Sequence, residues 1–318
     1  MMQAMQTIDD EPGVALPELL RDLAAVPPAC AVRVTGLSID SRTVRAGDAF
    51  LALPGQRAHG WSHAPEAIRA GARVILADAA TVACGPDLAG IPVILIPNLG
   101  SMAGVVAARF FGEPSRQLQV VGVTGTNGKT STSHYIATAM QEFTGGQAGI
   151  IGTLGNGPVG KLAPTALTTP DPISLHAQLA AQLAAGVQVI AMEVSSHALE
   201  LGRINGVRFS AAVFTNLTRD HLDFHADMAA YGAAKRRLFE LPDLKHAIVN
   251  LNDDFGRALM RAHSSRLSMI GYQVLTTGLP KSVSENVLLG ALRDSEPGQL
   301  VMDVLGPWGR GPLRCALT

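Results

Sequence analysis

The stretch GVTGTNGKTS at 122–131 limits the fold more than any other part of this chain. It follows an apolar run at 120–123 and precedes a helix-forming segment, so it reads as strand, glycine loop and helix in succession. Such a loop turns backbone N–H groups inward at the positive end of a helix, where a polyphosphate can sit. Gly125 and Gly128 keep Cβ atoms out of the way, Lys129 is placed to reach β and γ oxygens, and the Thr130 hydroxyl is placed for Mg²⁺. The general pattern has another glycine five positions before Gly128, where this chain has Val123. Binding of ATP or GTP is the expectation. A strand that feeds a helix through this loop belongs to an α/β sheet.

The 318 residues suggest about two domains. Ahead of the loop, AFLAL (49–53), RVILA (73–77) and PVILI (92–96) read as buried strands with turns between them, a small mixed α/β N-terminal domain. Residues 100–111 suit a helix and GEPSRQ (112–117) a linker, which puts the boundary near 115 and gives domains at 1–115 and 116–318. Beyond it, strands at 120–124, 187–194, 211–215 and 247–251 alternate with helices at 129–143 and from 172. That alternation predicts a P-loop Rossmann-like central domain with a mostly parallel sheet covered on both faces. The helix from 172 carries its own punctuation: Asp171 as N-cap, Pro172, then Leu175, Leu179 and Leu183 on one face, and Gly186 past the end. From 267 onward the apolar runs are short and broken by glycine, and no elements are assigned.

With 25 Lys and Arg against 26 Asp and Glu, no global basic field draws the chain to nucleic acid or anionic lipid, so a polyanion must be held by a local site. Cys30, Cys84 and Cys315 form neither a disulfide framework nor a CxxC pair, which predicts reduced thiols and no structural zinc. No basic leader and no apolar run of about 18 residues are present, so a cytoplasmic chain with no membrane partner is expected.

Two strand ends carry unusual chemistry. Glu193 closes the apolar run 187–192 and lies on the same sheet edge as the phosphate loop, where a carboxylate suits Mg²⁺. Pairing with a lysine or capping a helix would account for it as well. After the strand at 211–215 come Arg219, Asp220, His221, Asp223 and His225, a group able to hold a metal or move protons, with a second Mg²⁺ favoured over zinc. If 225–240 is helical, Met228, Tyr231, Lys235 and Leu238 share one stripe while Arg236 and Arg237 turn outward. An inward lysine either snorkels or pairs with an aspartate, or it is a desolvated amine of lowered pKa that can react.

With GVTGTNGKTS, TTPDP (168–172), AMEVSSHAL (191–199) and FTNLTRDHLDFH (214–225) in order, the chain resembles the ATP-dependent Mur ligase family, MurE type, most specifically over 191–239. The resemblance implies condensation of meso-diaminopimelate or L-lysine with UDP-N-acetylmuramoyl-L-alanyl-D-glutamate through an acyl phosphate. It implies nucleotide contacts from Gly125, Thr126, Asn127, Gly128, Lys129, Thr130 and Ser131, with Asn250 at the adenine. Thr130 and Glu193 would hold one Mg²⁺ and His221 a second. Lys129, His221 and Lys235 would be the catalytic groups, Lys235 as an N6-carboxylated carbamate. Ile39 and Ser41 in SIDSR, Gln56, Arg57 and Ala58 in PGQRAHG, and Thr168, Thr169, Ser195 and Arg203 would meet the UDP-sugar peptide. Arg203 suits this because its planar fork donates two parallel hydrogen bonds.

The same resemblance implies a monomer that stops before the family's C-terminal domain, and so a chain that binds ligands but ligates poorly by itself. Three other readings remain: a related ligase such as folylpolyglutamate synthase, a P-loop switch or motor, and a catalytically incomplete nucleotide-binding remnant.

Overall fold

The computed structural model describes residues 12–55, 59–78, 80, 88, 90–296 and 299–316. The chain first runs through β1 (Val14–Ala15), α1 (Leu16–Leu19), β2 (Arg33–Val34), β3 (Gly36–Ser38), β4 (Asp48–Ala52), α2 (Ala64–Arg69), β5 (Val74–Ala77), β6 (Val93–Leu95) and α3 (Leu99–Phe110). It continues through β7 (Gln119–Thr124), α4 (Lys129–Thr144), β8 (Gln147–Gly152), β9 (Gly155–Pro158), α5 (Pro172–Ala184), β10 (Val187–Glu193), α6 (Ser196–Glu200) and β11 (Ala211–Phe214). Last come α7 (Met228–Arg236), β12 (His246–Asn250), α8 (Asp254–His263), β13 (Ser268–Leu275), β14 (Val287–Glu296), β15 (Gln299–Gly306) and β16 (Gly309–Ala316).

Two compact units emerge, each made of separate pieces of chain. The first takes the described residues up to Gln117 together with Pro170–Gly186 and Glu200–Val207, and the second takes Leu118–Thr169, Val187–Leu199 and the described residues from Arg208 onward. Within the expected linker at 112–117, Pro114 and Ser115 are buried in a 3-10 turn (Pro114–Arg116).

In the first unit, β3, β4, β5 and β6 form a parallel sheet in that order. Ala49, Leu51, Val74 and Leu76 face a core shared with Leu16, Leu19, Ala103 and Val106. Phe50, Ala52, Ile75 and Ala77 face a second core with Trp61, Ala64 and Ala67. Because both faces are covered, these strands read as unbroken apolar runs rather than alternating ones. Helix α5 belongs to this unit, packs against α3 and adds Ile173 to the first core. Asp171 caps it as expected, its Oδ1 accepting from the amides of Ile173 and Ser174 at 3.0 Å each. Leu175 and Leu179 are fully buried.

In the second unit a ten-stranded sheet runs β9-β8-β10-β7-β11-β12-β13-β14-β15-β16. Strands β7, β8 and β10 to β14 are parallel, while β9, β15 and β16 are antiparallel to their neighbours. The chain leaves β7 toward β8 on one side and later passes from β10 to β11 on the other, so the strand order reverses beside β7. Ligand crevices of open α/β sheets form at such a point, outside the carboxyl ends of the strands. The region from 267 onward, left unassigned by pattern, supplies β13 to β16. Gly271, Gly290, Gly306, Gly309 and Gly311 interrupt its apolar periodicity, and most of its described side chains are half-buried or exposed.

Helix α7 begins at Met228 rather than at 225, because Asp227 Oδ1 accepts from the Ala230 amide at 2.7 Å and fixes the start there. It tightens into a 3-10 turn at Arg237–Glu240. The expected stripe holds: Tyr231, Lys235 and Leu238 are buried, Arg236 and Arg237 exposed. Cys30 and Cys315 are thiols, and Cys84 lies outside the described residues. No helix among the described residues is long and apolar enough to cross a membrane.

Candidate active site

Strand β7 ends at Thr124, paired with Phe214 at the end of β11, and the chain turns through 125–128 into α4. Gly125 has φ +151, and a Cβ there would stand 1.8 Å from Thr215 Oγ1, so the turn admits no side chain at this point. The loop is laced to the segment after β11. The amides of Thr126 and Asn127 donate to Asn216 O (2.8 Å) and Asn216 Oδ1 (3.0 Å), while Thr215 Oγ1 donates to Asn127 O at 2.7 Å. These two loop amides therefore face the strand-end segment, not inward as expected. The donors left for phosphate are the amides of 128–131, which open α4 and have no acceptor within the helix. The Thr126 hydroxyl sits between Thr218 O (3.2 Å), the Thr218 amide (3.0 Å) and the Tyr231 hydroxyl (3.2 Å).

Two ammonium groups converge on one carbonyl. Lys129 Nζ donates to Gly125 O (3.0 Å) and Thr126 O (2.9 Å), and Lys235 Nζ donates to Gly125 O at 2.9 Å. Lys235 is 1% exposed and its Nζ lies 4.3 Å from the centroid of the Tyr231 ring. It neither snorkels nor pairs with a carboxylate among the described residues. Burial, then the positive charge of Lys129, push its ammonium down to about 7, with Asp220 opposing. Burial also lowers Lys129, against the pull of Glu193 and Asp220.

Glu193 closes β10 one strand over, 1% exposed. Its Oε2 accepts from the Thr130 hydroxyl (3.0 Å) and lies 3.3 Å from Thr153 Oγ1, and its Oε1 accepts from the Thr153 amide at 2.8 Å. A Cβ at Gly152 would come within 2.3 Å of Oε1, so glycine there is what lets the carboxylate approach the turn. Hydroxyls and an amide hold this carboxylate, not a lysine or a helix start. Thr169 Oγ1 donates to the Glu193 carbonyl (2.9 Å) and accepts from the Ser195 amide (3.1 Å), while Thr168 Oγ1 is 3.1 Å from Thr153 Oγ1. Thr130, Glu193, Thr168, Thr169 and Ser195 thus form one connected group.

His221 follows β11 in a left-handed conformation, φ +52, uncommon for a residue with a side chain and typical of over-determined functional positions. Its amide donates to Asp220 Oδ1 at 2.9 Å and its Nε2 lies 3.5 Å from Asp220 Oδ2. Its ring meets His197 edge-on, centroids 4.9 Å apart, and His197 in turn stacks on Phe224 at 4.1 Å. Among the described residues no three His, Cys, Asp or Glu gather to hold an ion, and a Mg²⁺ that takes one or two protein ligands needs no such group. The pair of Glu193 carboxylate and Thr130 hydroxyl fits Mg²⁺ by donor chemistry, since that ion takes hard oxygen and one or two protein ligands beside water and phosphate.

Asn250 ends β12 with its amide already engaged, Nδ2 donating to Thr215 O (2.7 Å) and Oδ1 accepting from the Asn252 amide (2.9 Å). In the first unit, Ser41 is buried and donates to Glu66 Oε2 at 2.7 Å, Ile39 packs on the core, and burial lowers the half-buried Arg203 guanidinium against the pull of Asp171. Gln56, Arg57 and Ala58 lie outside the described residues. Motif spacing did not single out Thr153, Asn216 or His197. The available signals were a threonine in the two-residue turn between Gly152 and Gly155, and the asparagine after β11.

Residues 123–294 match the Mur ligase middle domain, and residues 33–111 match the catalytic domain of the Mur ligase family. The chain belongs to the Mur ligase family. It is 49% identical over 263 residues to the UDP-N-acetylmuramoyl-L-alanyl-D-glutamate--2,6-diaminopimelate ligase of Xanthomonas campestris pv. campestris (strain 8004), covering 81% of this chain and 51% of that protein. The ligase of the same name from Chromobacterium violaceum is 44% identical over 279 residues, 88% of this chain and 55% of that protein. A solved structure of a ligase of this name is similar with a TM-score of 0.79 at 25% identity, covering 95% of this chain and 59% of the other. The chain spans about half the length of the curated relatives it matches.

Proposed function

We propose that this chain carries the nucleotide and acceptor sites of an ATP-dependent ligase that joins meso-diaminopimelate, or L-lysine, to UDP-N-acetylmuramoyl-L-alanyl-D-glutamate. The work would be cytoplasmic, in peptidoglycan precursor synthesis, and so tied to cell shape and division. The observation that supports this most is Glu193 at a strand end: its buried carboxylate lies 3.0 Å from the Thr130 hydroxyl at the phosphate loop and is linked through Thr153 Oγ1 to Thr168, while its backbone carbonyl accepts from Thr169 Oγ1.

A carboxylate is a poor electrophile, and its attack on ATP brings two anions together. In the proposed reaction a carboxylate oxygen of the acceptor takes the γ-phosphoryl group and ADP leaves. The amine then attacks the acyl carbon, phosphate departs with the C–O bonding pair, and the amine sheds a proton. Lys129 and the amides opening α4 would hold the β and γ oxygens, so that charge develops against fixed donors. Thr130 and Glu193 would hold Mg²⁺, with His221 toward a second ion. The metal supplies neutralisation of phosphate charge when bound.

Lys235 would become a carbamate: its neutral amine bonds to CO₂ and loses a proton, leaving an anion. Only the free amine reacts, and an ammonium held down at about 7 leaves most of it free near pH 8. Thr168, Thr169 and Ser195 in the second unit, and Ile39, Ser41 and Arg203 in the first, would meet the UDP-sugar peptide, with Gln56, Arg57 and Ala58.

Titration calorimetry with UDP-N-acetylmuramoyl-L-Ala-D-Glu, Mg²⁺ and a non-hydrolysable ATP analogue tests this reading, with UDP-N-acetylmuramoyl-L-Ala as the control. Saturable binding that prefers the dipeptide form is expected. No binding by folded chain would refute the acceptor assignment.

A further inference from the structure

Residues 153 and 154 make the turn between β8 and β9, whose last pair is Gly152 with Gly155. Thr153 is exposed, so its side chain owes nothing to core packing. Its hydroxyl oxygen nevertheless lies between two others, 3.3 Å from Glu193 Oε2 and 3.1 Å from Thr168 Oγ1. A hydroxyl has one proton and two lone pairs, and a carboxylate can only accept. Thr153 is placed to donate to both, yet its single proton serves only one of them at a time, and the bare Glu193 carboxylate is the stronger acceptor. In that state the Thr153 proton does not orient the Thr168 hydroxyl. Once a cation occupies the lone pairs of Glu193, the proton of Thr153 is better placed on Thr168, and the Thr168 proton turns outward.

We propose that Thr153 is a positioning residue that couples the two ligand sites: filling the nucleotide and cation site at Glu193 commits the Thr153 proton to Thr168 and so orients the Thr168 hydroxyl as a hydrogen-bond donor to the carbonyl or carboxylate oxygens of the acceptor. This rests on the function proposed above. By linkage the coupling is reciprocal, each ligand raising affinity for the other by the same factor.

The test is the dissociation constant of UDP-N-acetylmuramoyl-L-Ala-D-Glu, measured by calorimetry with and without Mg²⁺ and the ATP analogue, in wild type, Thr153→Val and Thr153→Ser. Wild type is expected to show coupling on the order of tenfold. Thr153→Val, which keeps the shape and the backbone donor, should bring the ratio to near one, and Thr153→Ser should retain it. Thr168→Val breaks the same link from its other end and should also abolish the ratio, which covers the case in which one variant does not fold. A purely structural role would weaken both affinities in parallel and leave the ratio intact, and that result overturns the proposal. So does a valine variant that couples like wild type, or a serine variant that couples like valine. Wild type that binds neither ligand defeats the functional reading, and with it this one. Wild type that binds both without coupling defeats only this one.

Discussion

In the first unit, β4 and β5 stay apolar to their last residues, Ala52 and Ala77, and the Asp40–Arg42 ion pair is left to water: Arg42, 79% exposed, pairs with Asp40 at 2.6 Å. In the second unit, β7 and β10 run into Thr124 and Glu193, and a buried lysine, a half-buried lysine and a buried carboxylate lie beside a glycine loop. The first sheet is parallel and the second is parallel around β7 and β10, so the strand direction alone does not separate them. What separates them is where charge is placed relative to solvent. Exposed ion pairs contribute little to stability. A buried ammonium costs several kcal/mol unless it loses its proton or finds a partner. Substitutions in the second unit should therefore change stability and ligand chemistry together, whereas those at the first unit's polar surface should change chemistry alone.

The largest expected effect is at Lys235. The ammonium at about 7 in the folded chain stands against 10.5 in an ordinary one, so between these values the unfolded chain holds more protons and wild-type stability climbs with pH. In CO₂-free buffer at pH 6, Lys235→Met should be more stable than wild type by roughly 3 kcal/mol, and urea unfolding at a series of pH values should show the advantage fading toward pH 10. Parallel stability curves would break the contrast between the units.

Next comes Gly152→Ala, whose Cβ would meet Glu193 Oε1 at 2.3 Å. It should cost about 2 kcal/mol in chemical unfolding and weaken nucleotide binding measured with Mg²⁺. Smaller again is Asp171→Ala in the first unit, which removes the cap of α5 and should lower unfolding free energy by about 1 kcal/mol, with nucleotide affinity unchanged. Least is Arg42→Ala. It should leave the melting temperature where it was while the Asp40 carboxyl, held at about 2 chiefly by its hydrogen bond from the Arg42 side chain, returns toward 3.8 in an NMR titration. A clear fall in melting temperature would mean that the first unit's surface is not as independent as its exposure indicates.

The parts of the fold that could be read in advance are those where local chemistry and burial agree. The strand at 119–124, the glycine turn and the helix from 129 were legible because each is specified within its own residues, and so was α5 with its aspartate cap and proline. Lys235 was legible as an inward residue from its stripe, but the carbonyl it meets, Gly125 O, lies 110 residues away and no spacing rule reaches it. The same is true of Asn216, which takes the two amides expected to face phosphate, and of Thr153, which becomes meaningful only when β8 lies beside β10. Strands β13 to β16 were hidden because glycines break their periodicity and neither face is deeply buried. The family resemblance located candidate residues such as Asn250 without showing that its amide is already spent joining β12 to β11.

The interleaving of the two units bears on the order in which the protein can be made. Residues 170–186 and 200–207 belong to the first unit yet are synthesised after β7, β8 and β9 of the second. A ribosome that has released only the first 117 residues has therefore delivered a core still lacking Ile173 and the buried face of α5, Leu175 and Leu179. The first unit is begun early and finished late, and a nascent or truncated chain that ends in between presents to its surroundings the apolar surface of α3 that α5 will cover.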